Sequence, residues 1–243
     1  MKKIIITLIV ITLAGCGASK QAAFDPVARF SEAEELMRKE SFEKARAAYQ
    51  EIQEKAPDKS YNADIMLRVA DTYFGEEKFD EALVEYQAFL NFHPVNKNAS
   101  YAQYQVAMCS YKELPTVDRD PEITRTALKE FEKLLRKYPK SAYEEPAGKF
   151  AAICREQLAA YELYVERFYY KKGSYKAAIG RAEKLLKDFP ESLIGKDALY
   201  YAGLSYMEIG ERAQALKTFE TLVRKYPSME ETVRPSLKKL KTP

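Results

Sequence analysis

The side chains able to do covalent or acid–base chemistry are few. Among 243 residues there are three cysteines and one histidine. Cys16 follows an apolar run and closes the tetrapeptide Leu13-Ala14-Gly15-Cys16. Cys109 and Cys154 lie inside apolar stretches, Val106-Ala107-Met108-Cys109 and Ala151-Ala152-Ile153-Cys154, where a thiol is usually buried and inert. His93 directly precedes a proline, which places it at a helix end. One histidine gives no support to a Ser-His-Asp triad. No His/Cys grouping has zinc-site spacing, and no glycine-rich loop is shaped for phosphate. Carboxylates are plentiful but spaced as solvated helix faces, as in Glu32, Glu34 and Glu35. A glycan-cleaving enzyme would need two of them across one cleft, and nothing in the spacing singles out such a pair. The expectation is a protein without catalytic activity, metal or dissociable cofactor.

The chemistry that remains belongs to Cys16. Lys2 and Lys3 precede Ile4 to Leu13, a ten-residue apolar stretch broken only by Thr7 and Thr12. That is too short to span a hydrocarbon core of about 30 Å as a helix, and it has the anatomy of a secretory signal. The motif ending at Cys16 resembles the bacterial lipobox, in which the cysteine is acylated on sulfur and becomes the new N-terminus. Residues 1–15 are therefore expected to be removed, and 16–25 to be a lipidated tether. Cys16 would carry an S-diacylglycerol and an N-acyl chain as a covalent lipid. Gly17 in place of aspartate resembles outer-membrane sorting, so the expected location is the periplasmic face of the outer membrane, held by lipid alone. An oxidising compartment permits a Cys109–Cys154 disulfide, although buried free thiols are the commoner outcome in such stretches.

The remaining sequence is periodic. Ala45/Pro57, Ala82/Pro94, Ala127/Pro139, Ala178/Pro190 and Ala215/Pro227 share one twelve-residue offset. Four residues after each alanine come Tyr49, Tyr86, Phe131, Ala182 and Phe219; three further on come Ile52, Phe89, Leu134, Leu185 and Leu222. Those offsets form one stripe of an α-helix that the proline ends. An upstream helix carries Leu36, Tyr73, Tyr169 or Tyr206 nine residues before the alanine. Three residues before that stands a small residue, Ala33, Ala70 or Gly203, with Glu166 breaking the pattern. Gly173-Ser174-Tyr175 and Gly210 mark turns. The unit resembles the tetratricopeptide repeat, a helix–turn–helix that stacks into a solenoid.

The predicted fold is all-α, five such units, with a long helix from Ala147 to Tyr170 joining repeats 3 and 4. Seven extra residues, around Leu114 to Pro121, enlarge the third unit. An N-terminal block (26–139, repeats 1–3) and a C-terminal block (140–227, repeats 4–5) would be followed by a basic tail, 228–243, solvated at Lys238, Lys239 and Lys241. Formal net charge is +3, falling to +1 once Lys2 and Lys3 are removed. So even a balance offers no electrostatic case for nucleic acid.

Two stretches carry a closer resemblance. One is Val117-Asp118-Arg119-Asp120-Pro121, with its helix closing at Lys137-Tyr138-Pro139. The other runs from Tyr161 through Tyr170 to Gly173-Ser174-Tyr175-Lys176-Ala177-Ala178, Arg181 and Asp188-Phe189-Pro190. With the Cys16 motif and five repeats, these resemble the BamD family (ComL/YfiO-like) of lipoproteins of the outer-membrane β-barrel assembly machinery. The resemblance implies a non-enzymatic scaffold that docks to a POTRA domain of a BamA-like barrel protein and receives unfolded outer-membrane protein clients. Other lipoproteins of that machinery are further candidate partners. Arg181 matches the position that contacts BamA in the family, whereas sequence alone reads it as a solvated helix arginine. A different periplasmic adaptor, organising peptidoglycan enzymes or the Tol–Pal system or acting as a competence lipoprotein, shares the same anchor and repeats and stays open.

Repeat geometry puts the first helix of each unit on the concave side. In this register the client groove would include Phe30, Met37, Leu67, Asp71, Phe74 and Gln105. Apolar anchors beside a few polar groups suit an extended peptide with alternating aromatics, though each apolar position has core packing as its competing role.

Overall fold

The computed structural model describes residues 24–56 and 62–242. Cys16, the signal segment, the tether up to residue 23 and Pro57 lie outside the described residues. Eleven α-helices are described: α1 (Pro26–Arg38), α2 (Phe42–Lys55), α3 (Asn62–Gly75), α4 (Phe79–Phe92), α5 (Ala99–Lys112), α6 (Glu122–Lys137), α7 (Glu144–Lys171), α8 (Tyr175–Asp188), α9 (Gly195–Glu208), α10 (Arg212–Lys225) and α11 (Glu230–Lys241). There is no strand among the described residues.

Helices α1 to α10 form five antiparallel hairpins, each packed on the next. The repeated alanines, the residues four later and the residues seven later are all buried. Small alanines let paired helices close up, and Tyr49, Tyr86, Phe131 and Phe219 fill the space between them. Gly203 is forced by this packing, because a Cβ there would stand 2.6 Å from Phe219 Cε1. Polar groups join neighbouring units as well. Arg46 on α2 lies 4.0 Å from the Tyr73 ring centroid and donates to Thr72 Oγ1 (3.1 Å) on α3 and to Glu76 Oε2 (3.0 Å) just past its end.

The hairpin turns share one device. Residues 40, 77, 173 and 210 occupy equivalent places after the first helix of units 1, 2, 4 and 5. All four have positive φ, at 55°, 59°, 74° and 78°. Gly173 and Gly210 adopt this freely. Glu40 and Glu77 take the same left-handed cap, and their amides still reach the helix carbonyls of Met37 and Phe74. The cap geometry is dictated by the repeat, and the glutamates bear its strain.

The long helix α7 runs 28 residues, against 16 for α6 and 14 for α8. Its first half continues the third unit: Phe150 stacks on Phe131 (5.7 Å) and meets Tyr111 edge-on (4.6 Å). Its second half pairs with α8, with Ala159 and Leu163 packed around Ala182 and Leu185. The insertion of the third unit is tied back to α7 by Gln157 Nε2, which donates to the Pro115 carbonyl at 2.5 Å.

The C-terminal segment departs from the basic tail expected at 228–243. Residues Pro227–Met229 form a 3₁₀ turn and Glu230–Lys241 form α11. Val233 and Leu240 are buried against Leu199, Phe219 and Leu222, with Leu237 packed beside them. Offsets of four and three put these apolar residues on one face, which covers the side of α10 that a further repeat would occupy. Arg212 Nε donates to the Leu240 carbonyl at 3.1 Å and holds the cap down. The lysines remain exposed on its outer face.

Candidate polypeptide-binding surfaces

A cavity of about 460 Å³ opens among the N-terminal units. Its lining comes from first helices: Phe30 on α1; Asp64, Leu67, Arg68 and Asp71 on α3; Asn98 and Tyr101 at the start of α5; and Tyr143 just before α7. The α3 residues are spaced i, i+3, i+4, i+7, a single helical face. Asp71 organises the site. Its Oδ1 accepts from Tyr86 OH and from Tyr101 OH, both at 2.6 Å, and its Oδ2 accepts from Arg68 NH1 at 3.2 Å. Gln105 Nε2 donates to Tyr101 OH at 3.0 Å. Arg68 Nε also reaches Glu34 Oε1 at 3.0 Å, and that carboxylate accepts from Tyr49 OH at 2.5 Å.

Burial, reinforced by the adjacent carboxylates, pushes the Tyr49, Tyr86 and Tyr101 hydroxyls well above their ordinary range. They stay protonated and act as donors. The result is a continuous ladder, Tyr49–Glu34–Arg68–Asp71–Tyr101–Gln105, along a trough whose other lining residues are Phe30, Asp64, Leu67, Asn98 and Tyr143.

Of the residues expected in the groove, Phe30, Leu67 and Asp71 line this cavity, and Gln105 reaches it through the Tyr101 hydroxyl. Leu67 shows little of itself and belongs mainly to the core. Met37 packs into the first unit's core, and Phe74 packs edge-on against Phe79 at 5.2 Å; neither lines the cavity. Sequence reasoning missed Arg68, Tyr101 and Tyr143. The signal for Arg68 was available, since it completes the face shared by Leu67 and Asp71.

Arg181 on α8 is not a loose solvated arginine. Its NH1 donates to Glu162 Oε2 on α7 at 3.0 Å, and Lys184 Nζ donates to Glu162 Oε1 at 2.7 Å. Glu162 is almost wholly buried, while the Arg181 side chain stays 36 % exposed. The Glu162 hydrogen bond tightens the hold of Arg181 on its proton. The guanidinium therefore neutralises a buried carboxylate and still presents a cationic face outward.

A second cleft, of about 470 Å³, lies between the insertion of the third unit and α7. Val117, Leu163, Tyr164 and Phe168 supply its apolar lining, with Arg167 and Lys171 at the rim. The dense aromatics of the Tyr161–Tyr170 stretch were legible in sequence; that two of the five, Tyr164 and Phe168, face outward was not.

Cys109 and Cys154 are free and buried, and burial raises their thiols to about 12 and about 11. His93 caps the C-terminal end of α4, its ring tilted against Phe89 at 5.4 Å. Among the described residues no group of His, Cys, Asp and Glu could hold a metal ion, and no helix is long and apolar enough to cross a membrane.

A family profile described as "YfiO: Outer membrane lipoprotein" matches residues 23–222. The outer membrane protein assembly factor BamD of Neisseria meningitidis serogroup A is 25 % identical, covering 93 % of this chain and 92 % of its own. That of Rickettsia prowazekii is 28 % identical, covering 94 % and 93 %. Among solved structures, the TPR2AB domain of yeast Sti1 in complex with pHSP90 matches with a TM-score of 0.43 and 12 % identity, over 88 % of this chain and 96 % of that one.

Proposed function

The chain belongs to the YfiO family of outer membrane lipoproteins, and from that premise we propose that it is a non-enzymatic scaffold of the β-barrel assembly machinery. Acyl chains on Cys16 hold it at the periplasmic face of the outer membrane. Two or more acyl chains suffice for stable anchoring, since each buried methylene adds about 0.8 kcal/mol. Its relatives' shared name, outer membrane protein assembly factor, supports the role.

The observation that carries the client-binding part is the cavity built by the first helices of successive units. Phe30 and Tyr143 offer faces for aromatic side chains of an extended segment. Arg68 and the Asp71-anchored hydroxyls offer polar partners to its backbone and chain end. Preorganised side chains keep the ordering cost low for the groove, so the client bears most of it. The C-terminal block docks a POTRA domain of a BamA-like barrel protein through the outward face of Arg181.

The test is affinity isolation of the tagged full chain from detergent-solubilised envelopes. A BamA-like barrel protein in stoichiometric yield is the expected result. Its absence, with peptidoglycan-organising or Tol–Pal proteins in its place, overturns the reading.

A further inference from the structure

Phe92, the last residue of α4, and Val95, in the short connection to α5, are 73 % and 96 % exposed. The connection is not loosely held. His93 N–H donates to the Phe89 carbonyl (2.8 Å), Asn96 N–H to the His93 carbonyl (3.1 Å) and Ala99 N–H to the Asn96 carbonyl (2.9 Å). Asn98 N–H is taken by Asn96 Oδ1 at 2.9 Å, and the His93 ring rests on Phe89. This turn fixes its backbone and holds two apolar side chains out into water.

The position of this turn narrows what covers it. Helices α1, α3 and α5 begin, and α2, α4 and α6 end, at one edge of the solenoid. The described chain also begins there: Phe24 lies 5.6 Å from Lys55 Nζ at the end of α2, and Val27, one turn along, is exposed. Cys16 is eight residues before Phe24, so a lipid on its sulfur is at most about 28 Å from this edge. The remaining charge on the edge is mixed, Lys97 and Lys140 against Asp25 and Glu144, so attraction to anionic lipid is not what selects the surface.

We propose that the α4–α5 turn inserts Phe92 and Val95 into the lipid surface and that this contact orients the solenoid with its N-terminal edge against the membrane. The proposal rests on the lipid anchor at Cys16 and adds a second, weaker contact. The acyl chains supply the affinity, and the turn fixes the rotation that a tether alone leaves free. The consequence concerns the cavity. Asp64, Asn98, Tyr101 and Tyr143 all sit near the starts of first helices, so the cavity lies close to the same edge. A segment held in it would be presented at headgroup level, beside the bilayer it is to enter.

The chain contains no tryptophan, so single substitutions report without background. Val95→Trp is compared with Lys112→Trp, at the far end of α5, about 21 Å away for 14 helical residues. Both are made in the lipidated full chain and reconstituted into phosphatidylethanolamine–phosphatidylglycerol vesicles with and without brominated lipid. Emission from residue 95 is expected to shift to the blue and lose most of its intensity to the brominated lipid, insensitively to salt. Emission from residue 112 should do neither. Equal, solvent-like spectra from both sites overturn the proposal. So does a blue shift at residue 95 that needs no vesicles and grows with protein concentration, which marks a second copy as the occupant. Flotation of the wild type and of Cys16→Ser separates the premises. A lipidated chain that floats with unquenched residue 95 loses only the edge contact, whereas one that does not float loses the anchor as well.

Discussion

Arg181 and Glu162 face each other across the α7–α8 hairpin, with 3.0 Å between NH1 and Oε2, and Lys184 shares the same carboxylate from one turn further along. The residue expected to meet a partner is therefore also an internal counter-ion. Arg181→Glu places a second carboxylate beside a buried one. It should destabilise the C-terminal block by roughly 1–2 kcal/mol, less than a fully buried pair because Arg181 is part-exposed and Lys184 remains. Arg181→Lys keeps the charge and should restore most of that stability while losing the planar guanidinium face. Thermal melts read beside BamA co-purification separate the two roles. A Lys variant that folds normally and binds fully removes the guanidinium from the contact.

Asp71 accepts from two tyrosine hydroxyls and one arginine. Asp71→Ala strands the Tyr86 hydroxyl in the core and should cost about 2–3 kcal/mol. Asp71→Asn keeps an acceptor oxygen and should cost less. The paired Tyr86→Phe/Asp71→Ala variant should recover part of the loss. Urea unfolding with an unchanged m-value checks this series; a loss in Asp71→Ala no larger than in Asp71→Asn contradicts the ladder.

Glu166 stands where units 1, 2 and 5 carry Ala33, Ala70 and Gly203, is fully buried, and neither of its oxygens makes a hydrogen bond among the described residues. Burial first, and the charge of Asp197 second, raise its carboxyl from 4.5 to about 9. The folded chain keeps a proton that the unfolded chain releases above about 4.5. Its contribution to stability is thus whole below that pH and is lost as pH rises towards about 9, by up to about 1.4 kcal/mol per pH unit. The melting temperature should fall between pH 5 and pH 9 more steeply than that of Glu166→Gln, which has nothing to titrate. Parallel curves for the two proteins contradict a neutral buried carboxyl.

Glu40 and Glu77 occupy left-handed caps that Gly173 and Gly210 fill in later units. Glu40→Gly and Glu77→Gly should each be neutral or stabilising by up to about 1 kcal/mol, as the relieved strain offsets the added chain entropy. A loss above that size in either variant, seen in chemical denaturation, contradicts the assignment of strain.

How much was legible follows from how each feature is encoded. The Ala-to-Pro register, the residues four and seven later, and the long helix through Tyr161 are local patterns with helical period, and the hairpins form where that period places them. The α11 cap reads as a tail in sequence because Lys238, Lys239 and Lys241 dominate its end; only the exposed face of α10 explains why Val233, Leu237 and Leu240 pack. The cavity lining was half legible. Register put Phe30, Leu67 and Asp71 on the concave side. Whether a concave residue is covered depends on the neighbouring unit, which is why Met37 and Phe74 turn inward while Tyr101 and Tyr143 line the cavity. Arg181 was placed by family likeness, and its buried partner Glu162 could not be found from spacing alone, because the pair bridges 19 residues.

The central claim is that the concave side of the N-terminal units grips extended polypeptides. Photo-crosslinking from p-benzoylphenylalanine at position 30, which preserves an aromatic side chain in the cavity, tests it in cells making outer-membrane proteins. Val84, exposed on the second helix of unit 2, is the control site. Adducts with unfolded outer-membrane proteins from position 30 and none from position 84 are predicted. Equal adducts from both positions, or none from position 30 while the protein remains folded and membrane-bound, contradict the account.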